Sequence, residues 1–119
     1  MIRIVRVLRA APLAAALAFA PEAFADGTGW FLPAQVPQGR WEYSQQCAVC
    51  HGAQLQGGGA PALKGRIFND QWNGKKLDEL YTYVHKNMPL GRGASVPSQE
   101  YADIVAYILA QSGLPAGNE

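Results

Sequence analysis

Cys47 and Cys50 are the only cysteines in the chain, and His51 follows the second directly, in Cys47-Ala48-Val49-Cys50-His51. Two thiols at that spacing with a histidine next to them form an attachment site for a c-type haem. Residues three apart share a helix face, so both sulfurs can form thioethers to the two vinyl groups of one porphyrin. His51 then offers an imidazole nitrogen to the iron from the proximal side. Three other chemistries use the same residue types. A redox dithiol calls for a preceding strand in a βαβ setting, and the sequence has neither. Zinc held by Cys47, Cys50, His51 and His85 has the right ligand types, but adjacent Cys50 and His51 fit a tetrahedral ion poorly and there is no second CxxC. A Cys47–Cys50 disulfide would close a loop too short to restrict the unfolded chain.

Haem iron has a second axial position, and the sequence offers two residues for it. Met88, in Asn87-Met88-Pro89-Leu90-Gly91, becomes the only methionine once Met1 is removed. A soft thioether there raises the iron potential relative to two imidazoles. His85, one helical turn earlier, is the competitor and is expected on the helix surface. The Pro61 carbonyl is placed to accept the proton of the second ring nitrogen of His51, which fixes the ring and raises its basicity. Trp72 reads either as a wall of the haem site or as an indole donor to a propionate. Lys64 and Arg66 are alternative propionate partners, with plain solvent exposure the simpler reading.

Helices must position these groups. A first helix is expected from Pro37 or Gly39 through Cys50, with Gly39, Tyr43 and Cys47 on one face at spacings of four. Gly39 would admit a close helix neighbour. Residues 52–65 read as a glycine-rich loop, with no GxxxxGK[ST] and no strand-linked GxGxxG, and its glycines are expected to let backbone pass close to the porphyrin. Ile67, Phe68 and Trp72 punctuate a polar stretch. Leu77, Leu80, Tyr81 and Val84 predict a second helix over 77–87, with Asp78 and Glu79 in its first turn and Pro89 beyond its end. Ser98 is expected to cap a last helix whose apolar face is Tyr101, Ile104, Val105, Ile108 and Leu109, stopped by Gly113 and Pro115.

The chain opens with Arg3, Arg6 and Arg9, runs through an alanine-rich apolar stretch, and reaches Ala23-Phe24-Ala25. This is the pattern of a secretory signal peptide over 1–25, whose apolar run is shorter than the about 20 residues a spanning helix needs. Its loss would leave seven basic against eight acidic residues, a charge of −1. Such a balance argues against a nucleic-acid partner. Residues 26–38 read as an N-terminal extension, in which Trp30-Phe31-Leu32 either packs on the domain or forms a docking patch. Residues 39–119 read as the domain proper, small enough to benefit from a cofactor within its core.

Gly39 with Tyr43, the CxxCH stretch, Pro61-Ala62-Leu63, Met88-Pro89 and Ile104-Val105-Ala106-Tyr107 together resemble the class I cytochrome c family. The resemblance covers nearly all of 39–113. It implies an all-α fold of three to four helices around one covalently attached haem c, with first and last helices crossing near Gly39, Tyr43, Ile104 and Tyr107. It further implies thioethers at Cys47 and Cys50, iron ligation by His51 and Met88, and export to the bacterial periplasm. The function it implies is one-electron transfer between a periplasmic donor and acceptor, such as a dehydrogenase or terminal oxidase, with no catalytic residues of its own. Trp30-Phe31-Leu32, the glycine-rich loop and Met88-Pro89-Leu90-Gly91 also resemble small cytochromes that serve quinoprotein dehydrogenases, which would make the chain a bound subunit. A haem-based ligand sensor is the third reading, and it requires an open iron position. Any membrane association would come through a partner or an uncleaved signal.

Overall fold

The computed structural model describes residues 29–114, so the signal peptide expected over 1–25 lies outside the described residues. Five helices and no strands occur among them: α1 (Gln35–Gln46), α2 (Ala48–His51), α3 (Arg66–Trp72), α4 (Leu77–Asn87) and α5 (Ser98–Gln111). The all-α expectation holds. The helix count exceeds the expected three to four because the first helix is interrupted at Cys47 and because α3 forms in a stretch read only as polar. No helix among the described residues is long and apolar enough to cross a membrane.

The core is built on α5. Tyr101 and every residue from Asp103 to Leu109 are buried, so this helix is enclosed on most sides. Burying Ile104, Val105, Ile108 and Leu109 contributes about 1.5–3 kcal/mol each. Gly113, at φ +80°, ends the helix, with Leu114 N–H bonding to Leu109 O and Gly113 N–H to Ala110 O. That pairing satisfies carbonyls the last turn leaves free. The other end differs from expectation. Pro97 occupies the cap position and Ser98 is the first helical residue, with no side-chain capping bond.

Helix α1 makes its main packing against α5. It begins at Gln35, earlier than expected, so Pro37 falls within the first turn, where its missing N–H has no intrahelical partner to lose. Gly39 and Tyr43 are its buried residues, and Trp41 points to solvent. The Tyr43 ring meets Tyr107 at 5.5 Å between centroids. Phe31 joins the core, whereas Trp30 and Leu32 are exposed. The aromatic entry is therefore divided between packing and surface.

Asp103 is a buried acid that hydropathy alone would not place inside. Its Oδ1 accepts from Gln35 Nε2 at 3.2 Å and Gln99 Nε2 at 2.9 Å. Those donors offset the cost of taking a carboxylate out of water. Glu100 lies at the same helix crossing. Partial burial raises its carboxyl above the ordinary 4.5, and the Glu42 charge, a hydrogen bond to Glu42 and the Asp103 charge add to the rise. An acid with a raised folded pKa holds its proton more tightly folded than unfolded, so stability is lost as pH climbs from 4.5 through the folded value. Glu100→Gln should raise the thermal midpoint at neutral pH and leave it nearly unchanged below pH 4.5. Equal shifts at both pH values would remove this electrostatic account.

Helix α4 has the expected bounds. Glu79 Oε2 accepts the Lys76 N–H at 2.6 Å at its start. At its end, Met88 turns extended, with φ −116° and ψ 148°, as a residue before proline should. Helix α3 buries only Phe68 and leaves Ile67 exposed. Its Arg66–Asp70 ion pair, 3.5 Å long and open to solvent, contributes little.

Candidate functional site

The CxxCH stretch is a helical turn set off from α1 by a break. Cys47, at φ −122° and ψ −36°, closes α1 by donating its N–H to Tyr43 O and then opens α2. Its carbonyl accepts from His51 N–H at 2.9 Å and Cys50 N–H at 3.2 Å. The two cysteines are thus joined through one tight turn, where the sequence suggested a continuous helix. Both thiols are free, Cys47 half-buried and Cys50 exposed. Burial, and then the adjacent Cys50, pushes the Cys47 thiol up to about 11. Among the described residues no three His, Cys, Asp or Glu side chains are grouped to hold a metal ion, so the four-ligand zinc set has no counterpart.

Residues 52–63 fold back onto this turn. Gly57 N–H donates to His51 O at 2.7 Å and Ala60 N–H to Cys50 O at 2.9 Å. Tyr43 donates its hydroxyl to Gly52 O at 2.7 Å, and burial keeps that hydroxyl protonated by raising its pKa. Leu55 anchors the loop in the core at 1% exposure. Gly57, at φ +89°, is required because a Cβ there would come within 2.9 Å of Ala62 N. Gly59, by contrast, has open space around it. Gly57 thus has a steric role against the protein's own backbone.

His51 is buried, and its Nδ1 lies 2.7 Å from the Pro61 carbonyl oxygen. A carbonyl can only accept, so Nδ1 carries the proton and Nε2 keeps its lone pair free. This is the tautomer that an iron-ligating imidazole requires. With two unpaired thiols on the same turn, the residues fit a covalently attached haem c.

Met88 is half-buried and held by separate contacts. Its N–H donates to Val84 O at 2.9 Å, and its carbonyl accepts the Tyr101 hydroxyl at 2.5 Å. The following loop returns to α4 through Ala94 N–H to His85 O at 2.7 Å. His85 is less exposed than expected. Its ring packs at a tilt against Tyr101, at 4.8 Å, and Tyr81, at 5.7 Å. Trp72 is half-buried and packs edge-on against Tyr83 at 5.5 Å, with Lys75 Nζ 4.9 Å above its ring. It lines a cleft with Trp30, Phe68, Leu77 and Leu80, a cleft that none of Cys47, Cys50, His51 and Met88 borders.

The contacts made by Tyr101, Leu55 and Asp103 cannot be read from the sequence. Tyr101 was legible as part of the α5 apolar face, but nothing in spacing reveals where a buried hydroxyl points.

Comparison with known proteins agrees with this geometry. Residues 34–108 match the family described as Cytochrome C oxidase, cbb3-type, subunit III. Thiosulfate dehydrogenase of Stutzerimonas stutzeri (strain A1501) is 32% identical over 80 residues, which is 61% of this chain and 26% of that protein. Thiosulfate dehydrogenase of Psychrobacter arcticus is 33% identical over 87 residues, covering 64% of this chain and 26% of the relative. The chain therefore spans about a quarter of the length of these relatives. The crystal structure of the sulfane dehydrogenase SoxCD from Paracoccus pantotrophus superposes with a TM-score of 0.54 at 25% identity, over 71% of this chain and 46% of that one. With the family matched over well more than half its length, the chain belongs to the cbb3-type subunit III family and is a cytochrome c domain with covalently attached haem c, built for electron transfer.

Proposed function

We propose that this domain carries one electron at a time between periplasmic redox proteins, with Cys47 and Cys50 as the thioether residues and His51 and Met88 as the axial ligands. The observation that carries the reading is the His51 Nδ1 contact to Pro61 O, because it leaves Nε2 as a lone-pair donor beside two free thiols. Haem c supplies an iron centre that changes oxidation state by one electron. The chain's contribution is to hold it. The loop over 52–63 fixes the His51 ring, and the contacts around Met88 hold its backbone extended. With His51 and Met88 both on the iron, no position is left for substrate.

The relatives support a partner class. Two are named as thiosulfate dehydrogenases and the structural neighbour as a sulfane dehydrogenase. We read the donor as a dehydrogenase acting on a reduced inorganic sulfur compound, with this domain as its electron acceptor, free or as a bound subunit. Exposed Trp30 and Leu32 favour the bound form, as apolar side chains available for contact.

The test is a redox titration of the haem-loaded protein combined with exposure of its ferrous form to carbon monoxide. A one-electron wave and no carbon monoxide complex at neutral pH are expected. Rapid carbon monoxide binding would replace transfer with a sensor or enzyme function.

A further inference from the structure

We infer that Tyr101 is a positioning residue for Met88: its hydroxyl fixes the backbone of the distal ligand and so sets how firmly the thioether stays on the iron. The inference rests on the reading of Met88 as that ligand. Tyr101 is 1% exposed, so its hydroxyl has no access to bulk water and its proton goes to the Met88 carbonyl. Met88 N–H is taken by Val84 O, so both polar backbone groups of this residue are committed, one to α4 and one to α5. The Tyr101 ring is itself wedged against His85, and the loop that follows Met88 is bound to the His85 carbonyl through Ala94. Gly93 closes that return, because a Cβ there would fall 1.8 Å from Lys86 O. With its backbone pinned on two sides, Met88 has only side-chain torsions left to vary. The sulfur is thereby confined to a small region. Removing the hydroxyl would leave the part-buried Met88 carbonyl without its donor and free the segment to move toward another donor or water.

Imidazole added to the ferric protein competes with the thioether for iron, so its affinity reads the strength of the methionine bond. Tyr101→Phe keeps the ring and its packing and removes only the donor. It should tighten imidazole binding about tenfold, equivalent to about 1.4 kcal/mol, and weaken the sulfur-to-iron charge-transfer band in the far-red absorption. Tyr81→Phe is the comparison. It loses a hydroxyl bond between the same two helices, to Ser98 O at 3.2 Å and not to the Met88 carbonyl, and should leave imidazole affinity unchanged. Met88→Ala should tighten imidazole most. If Met88→Ala does so and Tyr101→Phe does not, the positioning role is overturned and the ligand assignment stands. If both tyrosine variants act equally, general docking of α4 on α5 is responsible and the positioning role is again overturned. An unchanged affinity in Met88→Ala removes the ligand assignment and this inference with it.

Discussion

Gly39→Ala should lower the stability of the haem-loaded protein by about 2 kcal/mol or more, measured as a fall in the urea midpoint with an unchanged slope. Two opposed effects meet at this site. Alanine is favoured over glycine inside a helix by about 1 kcal/mol, which would stabilise α1 in isolation. Against that, the new Cβ would sit 1.8 Å from Asp103 O, 2.4 Å from Asp103 C and 3.0 Å from Tyr107 Cβ. The first two are backbone atoms of α5, which no rotamer change can move aside. Relief requires the two helices to separate, which loosens the Tyr43–Tyr107 contact and stretches the Gln35–Asp103 bond that join them. Overpacking therefore exceeds the propensity gain. Gly59→Ala is the matched control, since nothing lies within 4 Å of its Cβ position, and its midpoint should not fall. An unchanged or raised midpoint for Gly39→Ala would mean that the crossing tolerates a wider separation than its contacts suggest.

A close helix approach was legible in the sequence because a glycine and a tyrosine four residues apart mark such an approach and its filler; that the last helix makes it was implied by the family resemblance alone. Helix α4 was legible for a similar reason: Leu77, Leu80, Tyr81 and Val84 span its length, and Pro89 forces the residue before it out of helical geometry. Helix α3 was not. It has seven residues and buries Phe68 alone, so no period can be read from it. The start of α5 was misjudged at Ser98 because a good capping side chain does not guarantee a cap; Pro97 takes that position instead.

The site divides along the same line. The Pro61 contact follows from local spacing and the chemistry of imidazole, so it could be anticipated. The folding of 52–63 onto the CxxCH turn depends on positive φ at Gly52, Leu55 and Gly57 and on carbonyls finding distant N–H groups. Burial of Asp103 depends on Gln35, 68 positions away. Sequence spacing records neither kind of information, because both arise only when separate elements are brought together.

Met88→Ala is the variant expected to change redox behaviour most. The substitution leaves the backbone bonds to Val84 O and from Tyr101 in place, since neither involves the side chain. Met88 is half-buried, so the lost burial should cost less than the about 2–5 kcal/mol of a fully buried methionine. The fold and the thioethers should therefore survive, and the effect should fall on the iron. With Met88 as the proposed distal ligand, its loss exchanges a soft thioether that favours the ferrous state for water or a harder replacement. A potentiometric titration should find the midpoint lowered on the order of tenths of a volt, within the roughly 0.8 V range that axial ligation spans. The ferrous protein should also gain carbon monoxide binding that the parent lacks. His85 is a poor substitute while its ring packs against Tyr81 and Tyr101, so spontaneous bis-histidine ligation is not expected. An unchanged midpoint and spectrum in a folded, haem-loaded Met88→Ala protein would show that the distal ligand comes from elsewhere in the chain, and the electron-transfer site would have to be rebuilt around it.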